Sequence, residues 1–130
     1  MQKIKLKFII IHWLPVFLWC GVIYYLSSVP SLRSDFSDSM DLVLRKFAHI
    51  TEFAILTALF FRASFERFGK KKALLYAVLF AVTFAFTDEY HQTFVLGRSG
   101  NVKDIFIDSL GIFLSMFLID KKFSDVSIKR

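Results

Sequence analysis

The stretch ALLYAVLFAVTFAFTDEYHQ, residues 73–92, decides the fold that this sequence predicts. Residues 73–86 are apolar or small apart from Tyr76 and Thr83, and the stretch reaches the roughly 20 residues that a helix needs to cross a bilayer. It then ends abruptly in Asp88-Glu89-Tyr90-His91-Gln92. Hydropathy therefore predicts a membrane helix whose last turns carry ionisable groups, and such groups usually mark a functional site.

Two other apolar segments are interrupted in the same way, by RKFAHITE at 45–52 and by RSGNVKDIFID at 98–108. A charge at the centre of a bilayer costs about 2.5–3.5 kcal/mol on insertion scales. Five carboxylates facing lipid would together cost on the order of 10 kcal/mol, which rivals the whole stability of a domain. These five must therefore face each other or water: Glu52, Asp88, Glu89, Asp104 and Asp108.

The composition is that of a membrane protein, with 55% hydrophobic residues, 17 Phe and a mean hydropathy of +0.53 over 130 residues. No internal repeat is present, so residues 1–130 are predicted to form a single domain. The net charge of +6 could suggest nucleic acid. However, the basic residues flank apolar segments, which predicts the lipid bilayer as partner and no nucleic acid.

Cys20 stands alone inside an apolar run, which predicts a small buried hydrophobe and no disulfide.

The hydropathy pattern predicts an all-α fold, an integral membrane four-helix bundle with short loops. The first apolar segment exceeds the core of a signal peptide and has no small-x-small cleavage site, so we expect it to be retained. The predicted helices are 8–26, 42–63, 73–92 and 103–119.

The distribution of Lys and Arg predicts the orientation, because the cytoplasmic side of a membrane protein carries the excess. Five of the 17 fall on one side of the predicted bundle and the other twelve on the opposite side. The five are Arg33, Arg45, Lys46, Arg98 and Lys103. Both termini are therefore predicted in the cytoplasm (N-in/C-in), in a multi-pass protein of a plasma membrane. At about 1.5 Å per helical residue, the carboxylates lie between mid-membrane and the outer surface, which predicts an outward-facing polar pocket.

The second predicted helix carries Arg45, His49 and Glu52 at spacings i, i+4 and i+7, so the three share one face. His49 could transfer protons, held by Glu52 or by a carboxylate of another helix. It could also be a structural histidine that joins helices. The nearby Glu52, at membrane depth, favours the functional interpretation.

The third predicted helix places Gln92 one turn beyond both Asp88 and Glu89. Asp88 and Glu89 are adjacent and point about 100° apart on a helix, so we expect them to have different partners. Two nearby carboxylates can share a proton or hold a cation. The plainer alternative is an acidic helix end at the water interface.

The fourth predicted helix carries Asp104 and Asp108 on one face. Asp104 could simply stabilise the helix N-terminus, but Asp108 lies one turn deeper. Arg98, in the preceding turn, could be their counter-charge or a fork for an anionic headgroup. Ser27 and Ser28 could cap the first helix or hydrogen-bond a ligand, whereas no G-x-S-x-G context supports a nucleophile.

Residues 88–111, DEYHQTFVLGRSGNVKDIFIDSLG, resemble the signature of VanZ-like membrane proteins. Lys46-Phe47-Ala48-His49 with Glu52-Phe53 is similar to the second-helix motif of that family, and Ser27-Ser28 to its serine pair. The departures are Leu96 where proline is frequent, Asp108 where many members carry asparagine, and Ser115 where glycine is usual. The resemblance implies a bacterial membrane protein of the cell envelope. The family's namesake is associated with teicoplanin resistance, an antibiotic-resistance property that the resemblance does not transfer to this member.

Three functions fit these residues. The first is an enzyme acting on a lipid-linked or cell-wall-related substrate, with Glu89, His49 and Asp104 as tentative catalytic residues. The second is a non-catalytic binder of a lipid or glycopeptide headgroup, and the third, the least favoured, is a small ion-coupled transporter. The residues predicted to bind the substrate are Arg98, Gln92, Glu52, Asp88, Asp108, Ser27, Ser28 and Lys46.

The carboxylates of the outer half outnumber the positive groups near them, and in a low-dielectric cavity they cannot all stay ionised. Either one or two carry protons, or a divalent cation lies among them. The spacing matches no known metal motif, which favours shared protons, and no metal ligands or cofactor are assigned from the sequence.

The predicted orientation can be tested with single cysteines at Ser99 and at Ser127 in a Cys20→Ser background. An impermeant thiol reagent added to intact cells should label only the cysteine at position 99, because the excess of Lys and Arg places the C-terminus inside. Labelling at position 127 alone would reverse the orientation.

Overall fold

The computed structural model describes the backbone of residues 2–30, 38–98 and 100–128, and side chains within 7–30, 39–98 and 100–124. Residues 31–37 of the predicted first loop, which include Arg33, lie outside the described residues. Ser99, Lys129 and Arg130 lie outside them as well, and so does the side chain of Ser127.

Three helices make up the described chain: α1 (Gln2–Ser28), α2 (Asp38–Gln92) and α3 (Val102–Ile128). The all-α prediction is confirmed, but the count of four is not, because the predicted helices 42–63 and 73–92 are both parts of α2. Residues 64–72 contain no proline and are helical on both sides of Gly69, so α2 consists of two helical arms that meet at this one non-helical residue. The first and last helices of the chain are longer than predicted, because α1 begins at Gln2 and α3 continues to Ile128.

Gly69 reverses the direction of α2. Its backbone has φ 71° and ψ 172°, a conformation that glycine adopts readily and other residues rarely do. The rings of Phe60 and Phe80 stack with centroids 4.5 Å apart, and those of Phe53 and Phe84 lie 6.3 Å apart. Both pairs straddle Gly69, so the N-terminal arm (38–68) and the C-terminal arm (70–92) pack side by side and antiparallel.

The surface of the bundle is apolar, and several polar groups are buried. Phe47, Phe106 and Phe17 are exposed over 70%, 71% and 68% of their surface, whereas Asp108 is fully buried. Two helical segments, Lys7–Ser28 and Ser39–Gln92, are long and apolar enough to cross a membrane. An apolar exterior around a polar interior indicates association with a membrane.

The first helix belongs to this bundle. Val16 and Ile23 of α1 are buried in the same core as Phe53 and Ile112. In addition, the indole Nε1 of Trp19 donates a hydrogen bond of 2.9 Å to the backbone carbonyl of Glu52. These contacts make α1 part of the bundle core, and its retention in the mature protein stays a prediction.

Small residues allow the helices to approach closely. Four alanines at intervals of four residues are fully buried along the C-terminal arm of α2, at positions 73, 77, 81 and 85. On α3, a Cβ added to Gly111 would collide with the backbone carbonyl of Ile50 and lie 3.1 Å from the nitrogen of Ala54. Gly111 therefore sets the distance between α3 and the N-terminal arm of α2, one turn below Asp108 and beside His49.

We expect Gly111→Ala to destabilise the fold by about 1–3 kcal/mol, because the added methyl group meets backbone that cannot move aside without separating the helices. Thermal melting of the detergent-purified protein measures the effect. Gly21→Ala is the matched control, since a Cβ there meets nothing within 4 Å and alanine favours helix. Equal melting temperatures for the two variants would show that the close approach is absent.

Candidate functional site

The polar residues meet at one end of the bundle, which we call the polar end. The turn at Gly69 brings the start and the end of α2 to this end, and the C-terminus of α1 and the N-terminus of α3 also lie there. The chain therefore delivers groups that are far apart in sequence to one place. The polar end contains Ser27, Ser28, His49, Glu52, Asp88, Glu89, Gln92, Arg98, Asp104 and Asp108.

His49 and Asp108 form a pair between α2 and α3. The Nδ1 of His49 lies 3.0 Å from Oδ1 of Asp108, whose side chain is fully buried. The second oxygen of Asp108, Oδ2, is also buried and accepts no hydrogen bond within the part of the chain that the structure describes. A carboxylate that accepts from Nδ1–H fixes the ring and its tautomer, which leaves Nε2 for other partners.

Glu89 is held by the loop that precedes α3. Its Oε2 accepts a 2.9 Å hydrogen bond from the backbone N–H of Asn101, while its buried Oε1 has no partner among the described residues. Gly100 makes this contact possible, because a Cβ at that position would collide with the backbone carbonyl of Glu89. One oxygen of Glu89 is therefore fixed and the other is left for a ligand or a proton.

Asp88 points away from Glu89, toward α1. Gln92 donates from Nε2 to Oδ2 of Asp88 at 2.9 Å and makes a longer contact of 3.5 Å with Oγ of Ser27. All three side chains are buried. Adjacent carboxylates on α2 thus have separate surroundings, one facing α1 and the other facing the loop before α3.

Ser28 and His91 join α1 to the end of α2, a contact that the sequence analysis did not predict. The hydroxyl of Ser28 donates to the carbonyl of Tyr24 at 2.7 Å and lies 2.9 Å from Nε2 of His91. The rings of Tyr24 and His91 stack at 4.2 Å. Since the Ser28 proton points to Tyr24, Nε2 of His91 must donate. Helical periodicity relates residues within one helix and gives no signal for such a pair, because the partners are 63 residues apart.

Arg98 is bound to the end of α1. Its Nε donates to the carbonyl of Val29 and its Nη2 to the carbonyl of Leu26, both at 3.0 Å. The last carbonyls of a helix have no partner in the helix, and a cation there is favourable. Arg98, which the sequence predicts as a counter-charge or a fork for an anion, therefore uses two of its donors to hold α1 against the loop.

Two adjoining cavities open at the polar end. The first has a volume of about 140 Å³ and the second of about 250 Å³, and Arg45, His49 and Arg98 line both. The first cavity is lined further by Leu42, Lys46, Glu89, Gln92, Gly97, Asp104 and Ile107, and the second by Leu26, Ser27, Val29, Ala48 and Glu52. Asp88, Asp108 and Ser28 line neither of these two cavities. Asp108 and Asp88 contact the lining residues His49 and Gln92, whereas Ser28 contacts Tyr24 and His91, which line neither cavity.

The fold and the site define a class: an all-α, membrane-associated protein with a cavity lined by carboxylates, a histidine and basic side chains. The chain belongs to the VanZ/LLP1 family, whose family model matches residues 6–122. The resemblance drawn from the residues is thereby confirmed. Comparison with curated proteins and with solved structures gives no match.

We expect Arg98→Lys to lower the stability by about 1–3 kcal/mol, because a single ammonium group cannot donate to both carbonyls in the fork geometry of the guanidinium. Thermal melting measures the loss. Lys103→Gln, an exposed cation at the start of α3, is the control and should melt like the wild type. If Arg98→Lys also melts like the wild type, the contact with α1 contributes nothing.

Proposed function

We propose that this protein is a membrane enzyme that acts on the anionic headgroup of a lipid-linked or cell-wall-related substrate. The observation that carries the proposal is the pair of adjoining cavities at the polar end. Basic side chains line them together with three carboxylates and a histidine. Of these, Glu89 is held by the backbone N–H of Asn101 and His49 by the buried Asp108. This combination suits an anion that must be held while a proton is moved.

The size of the cavities supports a headgroup rather than a whole soluble ligand. At about 140 and 250 Å³ they are smaller than the roughly 300–1,000 Å³ of pockets that enclose drug-sized molecules. Leu42 and Ile107 line the first cavity, and Leu26 and Val29 the second. A phosphate or carboxylate group could enter while the apolar part of its lipid stays outside, against the apolar surface of the bundle.

The buried contacts suggest a role for each proposed catalytic residue. Asp108 orients the ring of His49, so that Nε2 can accept or donate a proton at the headgroup. Glu89 has one oxygen bound to the backbone of Asn101 and the other without a partner, which suits a general acid or base. Asp104 lines the same cavity as Glu89 and His49 and is the third candidate.

The proposal includes the membrane topology. The two arms of α2 each exceed the roughly 20 residues needed to cross the bilayer, as do α1 and α3. We propose four crossings of a bacterial plasma membrane, with both termini inside and the polar end outside. In that position the site would meet headgroups of the outer leaflet, which is consistent with a role in the cell envelope.

A non-catalytic binder is the second candidate, because the same cavities could hold a headgroup without changing it. The hydrogen bonds of Arg98 to α1 favour this alternative, because a basic residue that lines both cavities also holds α1 in place. An ion-coupled transporter is supported least. Away from the polar end, Thr57 and Ser64 are buried but donate to carbonyls of their own helix, so no polar path through the bundle is seen in the described residues.

Binding is tested with phosphatidylglycerol and phosphatidylcholine as probes, in native mass spectrometry of the detergent-purified protein. The wild type should retain the anionic lipid preferentially, and the double variant Arg45→Gln/Lys46→Gln should lose roughly tenfold or more of that preference. The control is Lys71→Gln/Lys72→Gln, which removes the same charge beside Gly69. Equal losses in both variants would contradict a headgroup site at the polar end.

Catalysis is tested with Glu89→Gln in cells that express the protein, by quantifying envelope lipids and teicoplanin susceptibility. If the protein is an enzyme, Glu89→Gln should abolish its effect on envelope lipids and on teicoplanin susceptibility. The affinity for phosphatidylglycerol should stay within a few-fold, because glutamine keeps the shape of glutamate but cannot transfer the proton. Glu66→Gln, an exposed carboxylate distant from the cavities, is the matched control. If effect and affinity fall together in Glu89→Gln, the protein is a binder.

A further inference from the structure

Three ionisable side chains at the polar end, two of them buried and one half-buried, converge. His49 lies on the N-terminal arm of α2, Glu89 on its C-terminal arm and Asp108 on α3. Each offers one nitrogen or oxygen atom, and these atoms all lie within 4.8 Å of one another. The three side chains come from separate segments, so their convergence is a product of the tertiary fold.

Two oxygen atoms of this cluster lack partners although they are buried. Glu89 Oε1 and Asp108 Oδ2 accept no hydrogen bond from the described chain, and their side chains are 4% and 0% exposed. A buried carboxylate oxygen without a partner is unfavourable, and native structures rarely contain one without a ligand, a proton or a functional reason. Both atoms belong to residues of the same cluster, which points to one ligand shared by these two side chains.

We propose that His49, Glu89 and Asp108 bind one divalent transition-metal ion. The charges match, because two carboxylates and a neutral imidazole carry the two negative charges that such an ion neutralises. The imidazole nitrogen disfavours magnesium and calcium, which prefer oxygen ligands, and favours zinc, while the two carboxylates also suit manganese. Three protein ligands with one open position are the usual arrangement of a catalytic zinc site.

The distances permit this ligand set without rearrangement of the backbone. Three atoms that lie within 4.8 Å of one another share a point no more than about 2.8 Å from each. Zinc bonds to nitrogen and oxygen measure about 2.0–2.2 Å, so each atom would move by less than about 1 Å. Small side-chain rotations provide such a movement.

The site is accessible to an ion and to a further ligand. His49 lines both cavities and Glu89 lines the one of about 140 Å³, while Asp108 closes the cluster from the buried side. An ion could therefore enter from the polar end, and its open position would face the cavity. The hydrogen bond between His49 and Asp108 already holds these two side chains together in its absence.

This inference concerns what the cluster holds, and it stands whether or not the headgroup proposal is right. If both hold, His49, Glu89 and Asp108 would hold the ion, which would supply Lewis-acid chemistry at the cavity, and Asp104, which lines the same cavity, would be the remaining candidate for proton transfer. The experiment that tests the ion measures metal content and melting without any substrate. The failure of the metal proposal can therefore be distinguished from the failure of the headgroup proposal.

The first measurement is elemental analysis of the full chain, purified in detergent through a tag without histidine from cells grown with zinc and manganese. We expect about one equivalent of one of these metals. Asp108→Asn and Glu89→Gln should each lower the retained metal roughly tenfold or more, because each removes a charged ligand. Glu52→Gln is the matched control, a buried carboxylate of α2 outside the trio that should keep the metal.

The second measurement is thermal melting of the wild type, which remains informative if the variants fail to fold. A chelator should lower the melting temperature by several degrees, and zinc or manganese, but not calcium, should restore it. Two outcomes would overturn the proposal. One is a protein that retains no metal and melts identically with chelator and with added cations, which would assign protons to the two oxygens. The other is undiminished metal in both ligand variants.

Discussion

The close contact of α3 with the N-terminal arm of α2 is the constraint on which the rest of this structure depends. Gly111 lies against the backbone of Ile50, so the two helices are as close as their main chains allow. His49 precedes Ile50, and Asp108 lies one turn before Gly111. Their 3.0 Å contact is therefore a direct consequence of a glycine at the crossing point. In a membrane, where apolar surfaces gain little by meeting, such small-residue packing is a main source of helix association.

The rest of the polar end is fixed by backbone groups more than by charge pairs. Glu89 is held by the N–H of Asn101, Arg98 by two carbonyls at the end of α1, and Trp19 by the carbonyl of Glu52. Helix ends and loops offer unpaired backbone groups, and polar side chains here satisfy them. Glu89 and Arg98 are thus positioned by backbone groups, whereas His49 and Asp108 hold each other.

The polar end contains buried groups that lower the stability of the fold. The buried core beside it consists of alanine, aliphatic side chains and Phe53, none of which has a side-chain atom that needs a hydrogen bond. The two buried oxygens without partners cost stability, and a chain selected for stability alone would replace them with apolar groups. Their presence beside an apolar core supports the proposal that the polar end is the functional part of the molecule.

The sequence by itself determined the class of this protein, because hydropathy and helix-length apolar segments leave few alternatives to a membrane-associated helical fold. It also determined which residues are unusual, since a carboxylate within an apolar segment is visible without coordinates. The helix ends were less predictable. Residues 64–72 are polar but favour helix, so the second and third predicted helices are one helix with a break at Gly69, where a single glycine decides the turn.

Only the tertiary structure decided which of the unusual residues meet. The partners of His49 and Arg98 are 59 and about 70 residues away in sequence, and helical periodicity relates positions only within one helix. Asp88 and Glu89 are neighbours in the chain but face different helices, and Ser28 is bound to His91 rather than free for a ligand. Hydropathy measures how much a residue avoids water, whereas the choice of partner depends on how closely the helices approach, and that is set by packing.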